Sequence, residues 1–156
     1  NYPGILGIGF AEAGSRGRPI TGTRESSAGI QSSIRYLEPL SRRNAAAIGF
    51  DMLTEATRRE AMLRAWTTGL PALSGRVRLV QEVDAVKQPG FLLYLPLRDV
   101  DGAFRGWIYS PLRGWDLFGT VFGREEFEGV RIAVYDSVIA PERLLYETDE
   151  RPDEAR

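Results

Sequence analysis

The chain has 156 residues, of which 43% are hydrophobic and 26% are charged, and its formal net charge is −1. This size and apolar content fit one domain, or one domain with a small appended lobe, that folds without a metal or a disulfide. The absence of a basic face argues against nucleic acid as a partner. The chain has no histidine and no cysteine, which excludes Ser–His–Asp triads, thiol catalysis and most zinc sites. We therefore predict no catalytic residues, no metal site and no cofactor.

The first third of the sequence predicts strands separated by a long loop. Residues 4–11 form an apolar run with glycines that is typical of a buried strand. Residues 12–32, which are rich in Gly, Ser, Thr and Arg, predict a loop. A second strand is expected at 33–38, and the short apolar run 45–50 is expected to form another. This arrangement would place Asp51 at the end of an apolar strand, just before a helix.

The next segment predicts an amphipathic helix that extends to Thr68. Thr54 is expected to cap its N-terminus, and Glu55 then lies in the first turn, where a negative charge suits the helix dipole. Gly69 followed by Pro71 marks its end. The apolar residues expected on its buried stripe are Ala56, Met62, Leu63, Trp66 and Leu70.

The middle of the sequence predicts three strands. Residues 76–81 alternate in polarity, and residues 90–97 form a continuous apolar run. Residues 99–102 (Asp-Val-Asp-Gly) predict a hairpin turn, after which residues 104–112 return as the partner strand.

The end of the sequence predicts a helix and two more strands. The helix is expected at 115–122, and the strands at 130–136 and 143–148. Residues 149–156 contain a single apolar residue, an alanine, and are expected to be frayed.

A series of short segments along almost the whole chain follows a specific order. They are residues 2–5, 8–10, 36–39, 49–51, 58–59, 68–69, 79–82, 90–92, 106–109, 133–136 and 144–146. In this order the segments resemble those of bacterial CHASE domains, the extracytoplasmic sensor modules of histidine kinases and diguanylate cyclases. No single segment would be specific, but their combined order is.

The resemblance implies an α+β fold that is PAS-like: an antiparallel five-stranded sheet with flanking helices, plus a small second α/β lobe. We expect residues 1–112 to form a membrane-distal ligand-binding domain and residues 113–156 an incomplete membrane-proximal lobe. The resemblance also implies a fragment of an inner-membrane protein, exposed to the periplasm or the extracellular space and anchored in the membrane on both sides. A homodimer is expected in the full-length receptor.

The resemblance also indicates a ligand pocket. Plant members of the family bind cytokinins, which are substituted adenines, and the aspartate that faces the adenine ring nitrogens matches Asp51. The chain departs from the plant pattern at Tyr94, which is much larger than the hydroxyl residue expected there, and in the polar stretch 13–32. The ligand class therefore stays open. The predicted ligand-binding residues are Tyr36, Asp51, Leu79, Phe91, Leu93, Tyr94, Trp107 and Tyr109.

Each of these residues also has a purely structural interpretation. Asp51 could cap a helix or a turn, and the apolar residues could belong to the core or to the outer face of the sheet. Two functions follow. The first is a sensor domain that binds an unknown small molecule and has no enzymatic activity. The second is a protein-interaction or dimerisation module, which pocket space filled by side chains would favour. An independent enzyme is disfavoured by the missing residue types.

Overall fold

A five-stranded antiparallel sheet forms the centre of the molecule. The computed structural model describes residues 2–14, 29–80, 87–123 and 130–148. Its elements are β1 (Ile8–Gly14), β2 (Gln31–Glu38), α1 (Arg42–Ala45), a 3-10 helix (Met52–Thr54), α2 (Ala56–Thr68), β3 (Ala72–Leu73), β4 (Gly90–Arg98), β5 (Phe104–Arg113), α3 (Gly114–Phe122), β6 (Ala133–Tyr135), a 3-10 turn (Pro141–Arg143) and β7 (Leu144–Glu147). The main sheet has the order β2-β1-β5-β4-β3, and β6 and β7 form a second sheet. The predicted α+β class, five-stranded antiparallel sheet and small second lobe are confirmed.

The long hairpin of β4 and β5 follows the sequence prediction closely. Asp99 closes its turn, since its Oδ1 accepts hydrogen bonds from the backbone N–H groups of Asp101 (3.1 Å) and Ala103 (2.8 Å). Gly102 has a φ of 81°, a conformation that glycine adopts without a steric penalty. The hairpin lies in the interior of the sheet, so its alternating side chains supply both faces.

The loop predicted at 12–32 begins later and ends earlier than expected. β1 continues to Gly14 and β2 begins at Gln31, because residues 12–14 pair with residues 31–33 in an antiparallel ladder. This pairing is a tertiary contact, and it outweighs the weak strand propensity of the residues in these two segments. Residues 15–28 lie outside the described residues.

The strand predicted at 45–50 is wrong. These residues form successive turns, in which the N–H of Ala47 bonds to Asn44 O (3.0 Å) and the N–H of Phe50 to Ala47 O (3.1 Å). Gly49 has a φ of 82°, which a strand does not accommodate. Asp51 therefore follows a turn and caps the 3-10 helix.

The strand predicted at 76–81 is also wrong within the described residues. Val77 forms a single bridge with Gly90, whereas the unpredicted β3 pairs with β4 at residues 72–73. Residue 81 lies outside the described residues.

The end of the chain agrees with the prediction in element type. α3 confirms the helix expected at 115–122, and β6 and β7 lie within the strands expected at 130–136 and 143–148 but are shorter. Residues 149–156 lie outside the described residues.

Helix α2 covers one face of the sheet, which we call the inner face. Its N-cap is Glu55 and not Thr54, because both Glu55 carboxylate oxygens accept backbone N–H bonds of the first turn, and Gly69 ends it in a left-handed conformation as predicted. The predicted stripe is partly wrong, since Ala56 and Leu70 are exposed. The residues that the helix buries are Arg58, Ala61, Met62, Ala65 and Trp66.

Trp107 fastens α2 to the sheet. It is fully buried, and its Nε1 donates a hydrogen bond to the carbonyl of Met62 on the helix (2.8 Å). Phe104 packs edge-on against it, with ring centroids 4.8 Å apart, and also contacts Trp66 at 5.6 Å. An aromatic cluster with a satisfied indole N–H fixes both the distance and the rotation of the helix.

The small lobe, which consists of α3, β6 and β7, packs on the opposite, outer face of the sheet at one end. Phe91 and Leu112 of the hairpin form a second core cluster with Leu145, and Leu117, Phe118 and Val134 pack against it. The Phe118 ring lies 5.9 Å from Phe91 and 6.0 Å from Tyr146. The first residues also reach this region, since the N–H of Arg113 bonds to Gly4 O (2.7 Å).

We predict that Trp107→Leu lowers the free energy of unfolding by about 3 kcal/mol or more, because it leaves a cavity and removes the bond to Met62. Urea denaturation followed by circular dichroism measures this. Trp115→Leu, at a half-buried position on α3, is the control and should cost less than about 1.5 kcal/mol. Equal losses in the two variants would contradict the role given to Trp107.

Candidate functional site

A small cavity lies between the inner face and the N-terminal end of α2. Its volume is about 10 Å³, roughly the space of one water molecule. Ligand sites in proteins usually have volumes of about 300–1,000 Å³. Its lining residues are Ile34, Phe50, Met52, Arg58, Val80, Leu92 and Tyr109.

Large side chains occupy the space beside this cavity. Tyr94 is completely buried, and its hydroxyl donates to the sulfur of Met52 at 3.5 Å. The rings of Tyr94 and Tyr109 lie 6.4 Å apart. Burial raises the pKa of both phenols well above the ordinary value of 10.0, so both stay protonated at physiological pH. The space between α2 and the sheet is therefore filled by protein.

Tyr109 carries an unusual polar group. It is 1% exposed, and its hydroxyl has no hydrogen-bond partner within the described part of the chain. A buried hydroxyl without a partner costs about 1–3 kcal/mol. The hydroxyl is therefore available to a water or a ligand atom that enters the inner face.

Arg58 places a buried cation in the cavity wall. Its Nη2 donates to the carbonyl of Arg78, its Nη1 lies 3.5 Å from Glu55 Oε2, and its guanidinium lies 5.6 Å from the centre of the Phe50 ring. Burial raises the pKa of Glu55, but the N–H bonds of Thr57 and Arg58 and the charge of Arg58 outweigh it, so the pKa lies below 4.5. The cation is thus neutralised by an ionised carboxylate.

Asp51 lies at the edge of the same layer and makes structural contacts. Its Oδ1 accepts hydrogen bonds from Ser32 N (3.0 Å), Ser32 Oγ (2.7 Å) and Leu53 N (2.9 Å). Ser32 Oγ also accepts the N–H of Met52 at 2.8 Å. These bonds join β2 to the 3-10 helix, as expected for the capping interpretation of Asp51. A ligand role for this carboxylate stays a prediction.

The predicted ligand-binding residues do not lie together. Leu79, Tyr94, Trp107 and Tyr109 are buried on the inner face, whereas Tyr36 (69% exposed) and Leu93 (38% exposed) lie on the outer face. Phe91 belongs to the second cluster beneath α3. Residues on opposite faces of one sheet cannot line the same pocket, so the eight residues do not form one site.

Of the seven residues that line the cavity, only Tyr109 is among the predicted ligand-binding residues. For two of the other six, Arg58 and Met52, the sequence contains a signal. Arg58 lies in the segment 58–59 that contributes to the family resemblance, and Met52 directly follows Asp51. Strand alternation also separates Leu92 and Tyr94 from Leu93, which would have removed Leu93 from an inner-face pocket.

The outer face of the sheet carries a continuous row of apolar side chains. Cross-strand pairs connect Tyr36 to Phe10, Phe10 to Ile108, Ile108 to Leu95, and Leu93 to Leu73. The exposed members are Tyr36, Leu73, Leu93 and Leu95, whereas Phe10 and Ile108 are half-buried. We call this row, formed by Phe10, Tyr36, Leu73, Leu93, Leu95 and Ile108, the outer apolar face.

Other kinds of site are not found in the described ranges. No group of three or more His, Cys, Asp or Glu side chains there could hold a metal ion. Among the described residues, no helix has both the length and the apolar character needed to cross a membrane.

Comparison with known protein families identifies the class. The family model described as CHASE domain matches residues 1–146, which is nearly the whole chain. This chain belongs to the CHASE domain family. CHASE domains are extracytoplasmic sensor domains of signalling receptors, so the resemblance seen in the sequence is confirmed at the level of the family and its sensory role. A search of curated proteins found no match.

We predict that Glu55→Gln lowers the free energy of unfolding by about 1 kcal/mol at neutral pH, because Gln is a poorer N-cap. The carboxylate is 37% exposed, so solvent screening limits its contribution. Because the folded pKa lies below 4.5, the stabilisation is present above that pH and is lost as the pH falls through the folded pKa.

The measurement is urea denaturation of the wild type and the variant between neutral pH and acid. The difference between them should shrink as the pH falls below 4.5. Glu60→Gln on the same helix, where the side chain is 76% exposed, is the matched control and should change little. A constant difference at every pH would contradict the prediction.

Proposed function

We propose that this chain is the ligand-sensing input domain of a transmembrane signalling protein, a histidine kinase or a diguanylate cyclase or phosphodiesterase. It would lie on the periplasmic or extracellular side of the inner membrane and have no catalytic activity of its own. Its family and its sensory role support this proposal. As part of the same proposal, the five-stranded sheet is of the PAS-like type.

We further propose that a small molecule binds at the inner face, beside Arg58 and Tyr109. The observation that carries this proposal is the buried Tyr109 hydroxyl without a partner among the described residues. Tyr109 lines a cavity whose wall also contains the buried Arg58. A ligand with a hydrogen-bond acceptor would satisfy this hydroxyl. A carboxylate or a similar anion could in addition replace Glu55 beside the guanidinium.

Binding requires the inner face to open, because the cavity of about 10 Å³ is smaller than any organic ligand. The side chain of Met52 and the 3-10 helix form the wall that would move, and Asp51 ties this wall to β2 through Ser32. The ligand would favour the open arrangement only by its higher affinity for it. The signal would be the resulting shift between closed and open states.

We predict that Met52→Ala increases the affinity for small molecules that bind the inner face by about tenfold, because the open volume no longer has to be created. Tyr109→Phe should weaken the same ligands by about tenfold, since it removes the donor. The measurement is a thermal-shift screen of small molecules followed by calorimetric titration of the hits.

Tyr36→Phe removes the same atom on the opposite face and is the matched control. Ligands that bind this control and the wild type equally, but bind Tyr109→Phe less tightly, would support the site. A screen without any hit for both the wild type and Met52→Ala would contradict small-molecule sensing at the inner face.

A second candidate function is a dimerisation module without a small-molecule ligand. The filled inner face favours it, and the outer apolar face offers a surface for a second copy of the chain. The ion pair between Glu12 and Arg35 (2.7 Å) neutralises two charges on the neighbouring strands β1 and β2. Two such sheets could pack face to face at the usual separation of about 10 Å.

We predict that Leu95→Glu dissociates such a dimer, because it places a charge in the middle of the outer apolar face. Sedimentation velocity over a range of concentrations measures the change. Val100→Glu, at a fully exposed hairpin position, is the matched control. A wild-type chain that stays monomeric at the highest concentration would contradict this second function.

A further inference from the structure

The small lobe is attached to the rest of the domain by two kinds of contact. The first is apolar: Leu145 packs against Phe91 and Leu112 in the second core cluster, on the outer face. The second is polar and involves residues 75–76, which follow β3. Among the described residues, the two core clusters have no member in common, so no shared cluster joins the lobe to the inner face.

Asp136, which directly follows β6, forms the polar contact. Its Oδ2 accepts hydrogen bonds from the backbone N–H of Arg76 (2.8 Å) and from Arg143 Nη1 (3.1 Å). Its Oδ1 accepts the hydroxyl of Ser137 (3.0 Å). The Arg76 guanidinium donates in return to Glu142 O in the small lobe (2.8 Å). We call this set of contacts the Asp136 junction.

A single glycine separates the Asp136 junction from helix α2. A Cβ at Gly75 would lie 2.7 Å from Asp136 Oδ2 and 3.1 Å from Thr57 Cγ2. A side chain at this position would therefore displace the carboxylate. Thr57 lies in the first turn of α2, which Glu55 caps. The small lobe thus reaches the layer that carries the inner-face cavity, at the beginning of the helix.

The carboxylate of the junction is largely shielded from solvent and is ionised at neutral pH. Its side chain is 14% exposed. Burial raises the pKa of Asp136, but the hydrogen bonds from Arg76, Ser137 and Arg143 and the charge of Arg143 outweigh it and hold the pKa below its ordinary value. A shielded charge is stable only while its partners are in place, so these bonds hold the two sides together.

The backbone of the junction is strained. Ser137 has a φ of 67°, in the left-handed region that residues with a side chain seldom adopt. Its hydroxyl bond to Asp136 and the bond from the N–H of Val138 to Asp136 O (2.8 Å) hold this conformation. Such strain persists only where the surrounding contacts impose it, and it is frequent in segments that switch between two arrangements.

We propose that the Asp136 junction is a latch between the small lobe and the layer of α2, and that the lobe turns about the second core cluster when the latch opens. The cluster can act as the pivot because it lies on the other face of the sheet and contains none of the residues of the junction. In such motions each packed unit keeps its internal contacts. The latch does not depend on a ligand at the inner face.

The test is the distance between two spin labels, measured by pulsed electron paramagnetic resonance. The chain has no cysteine, so Leu70→Cys after α2 and Ile139→Cys in the small lobe supply the only thiols, and both positions are exposed. We expect one narrow distance distribution in this background. Asp136→Ala should add a second distance, and it should raise the amide exchange rate of Arg76 at least about tenfold because the acceptor is lost.

A second variant opens the latch through a different atom. Gly75→Ala keeps the carboxylate, but its methyl group occupies the space beside Asp136 Oδ2 and should produce the same second distance. The matched control is Glu147→Ala on β7. This carboxylate is similarly shielded, with 12% of its side chain exposed, and it pairs with Arg131 inside the small lobe. The control should keep the narrow distribution.

Near-ultraviolet circular dichroism establishes which variants keep their fold. A second distance in either folded variant, Asp136→Ala or Gly75→Ala, together with an unchanged control supports the latch. A narrow distribution in every folded variant of the junction would overturn the proposal, even if the Arg76 amide exchanges faster, because the contact is then only a local hydrogen bond. Equal broadening in Glu147→Ala, or loss of the fold in both junction variants, would also overturn it.

Discussion

The packing of α2 against the inner face of the sheet is the constraint on which the rest of the structure depends. Trp107 fixes the helix through its bond to Met62 O, and Tyr94 reaches Met52 beneath the N-terminal end of the same layer. Because protein interiors are close-packed, the cavity beside these large side chains has a volume of only about 10 Å³. Any ligand at the inner face must therefore compete with the protein's own packing.

The same packing connects the inner-face cavity to the segment that follows β3. The carbonyl of Arg78 accepts a hydrogen bond from Arg58 in the wall of the inner-face cavity, and Arg78 also lines a concavity beside Arg76 and Arg143. A displacement of the backbone at residue 78 would thus be felt on both sides.

Sequence reasoning worked best where local signals and tertiary contacts agree. The β4–β5 hairpin was predictable from its apolar runs and from the Asp-Val-Asp-Gly turn, and the end of α2 from Gly69. The strand predicted at 45–50 was wrong because these apolar residues form a series of turns. The loop predicted from residue 12 was wrong for residues 12–14, because pairing with β2 extends β1. The candidate site was predictable only in part: Tyr94, Trp107 and Tyr109 share the inner face, but Tyr36 and Leu93 do not.

The sequence by itself determined the family, the α+β class and the absence of histidine and cysteine chemistry, because residue types and their order do not depend on the fold. Only the tertiary structure decided that Asp51 ties β2 to the 3-10 helix, that Tyr94 fills the inner face, and that Arg76 and Arg143 meet at Asp136. These contacts join residues up to 60 positions apart. These contacts depend on how α2 and the small lobe pack on the two faces of the sheet. A local sequence pattern does not specify that packing.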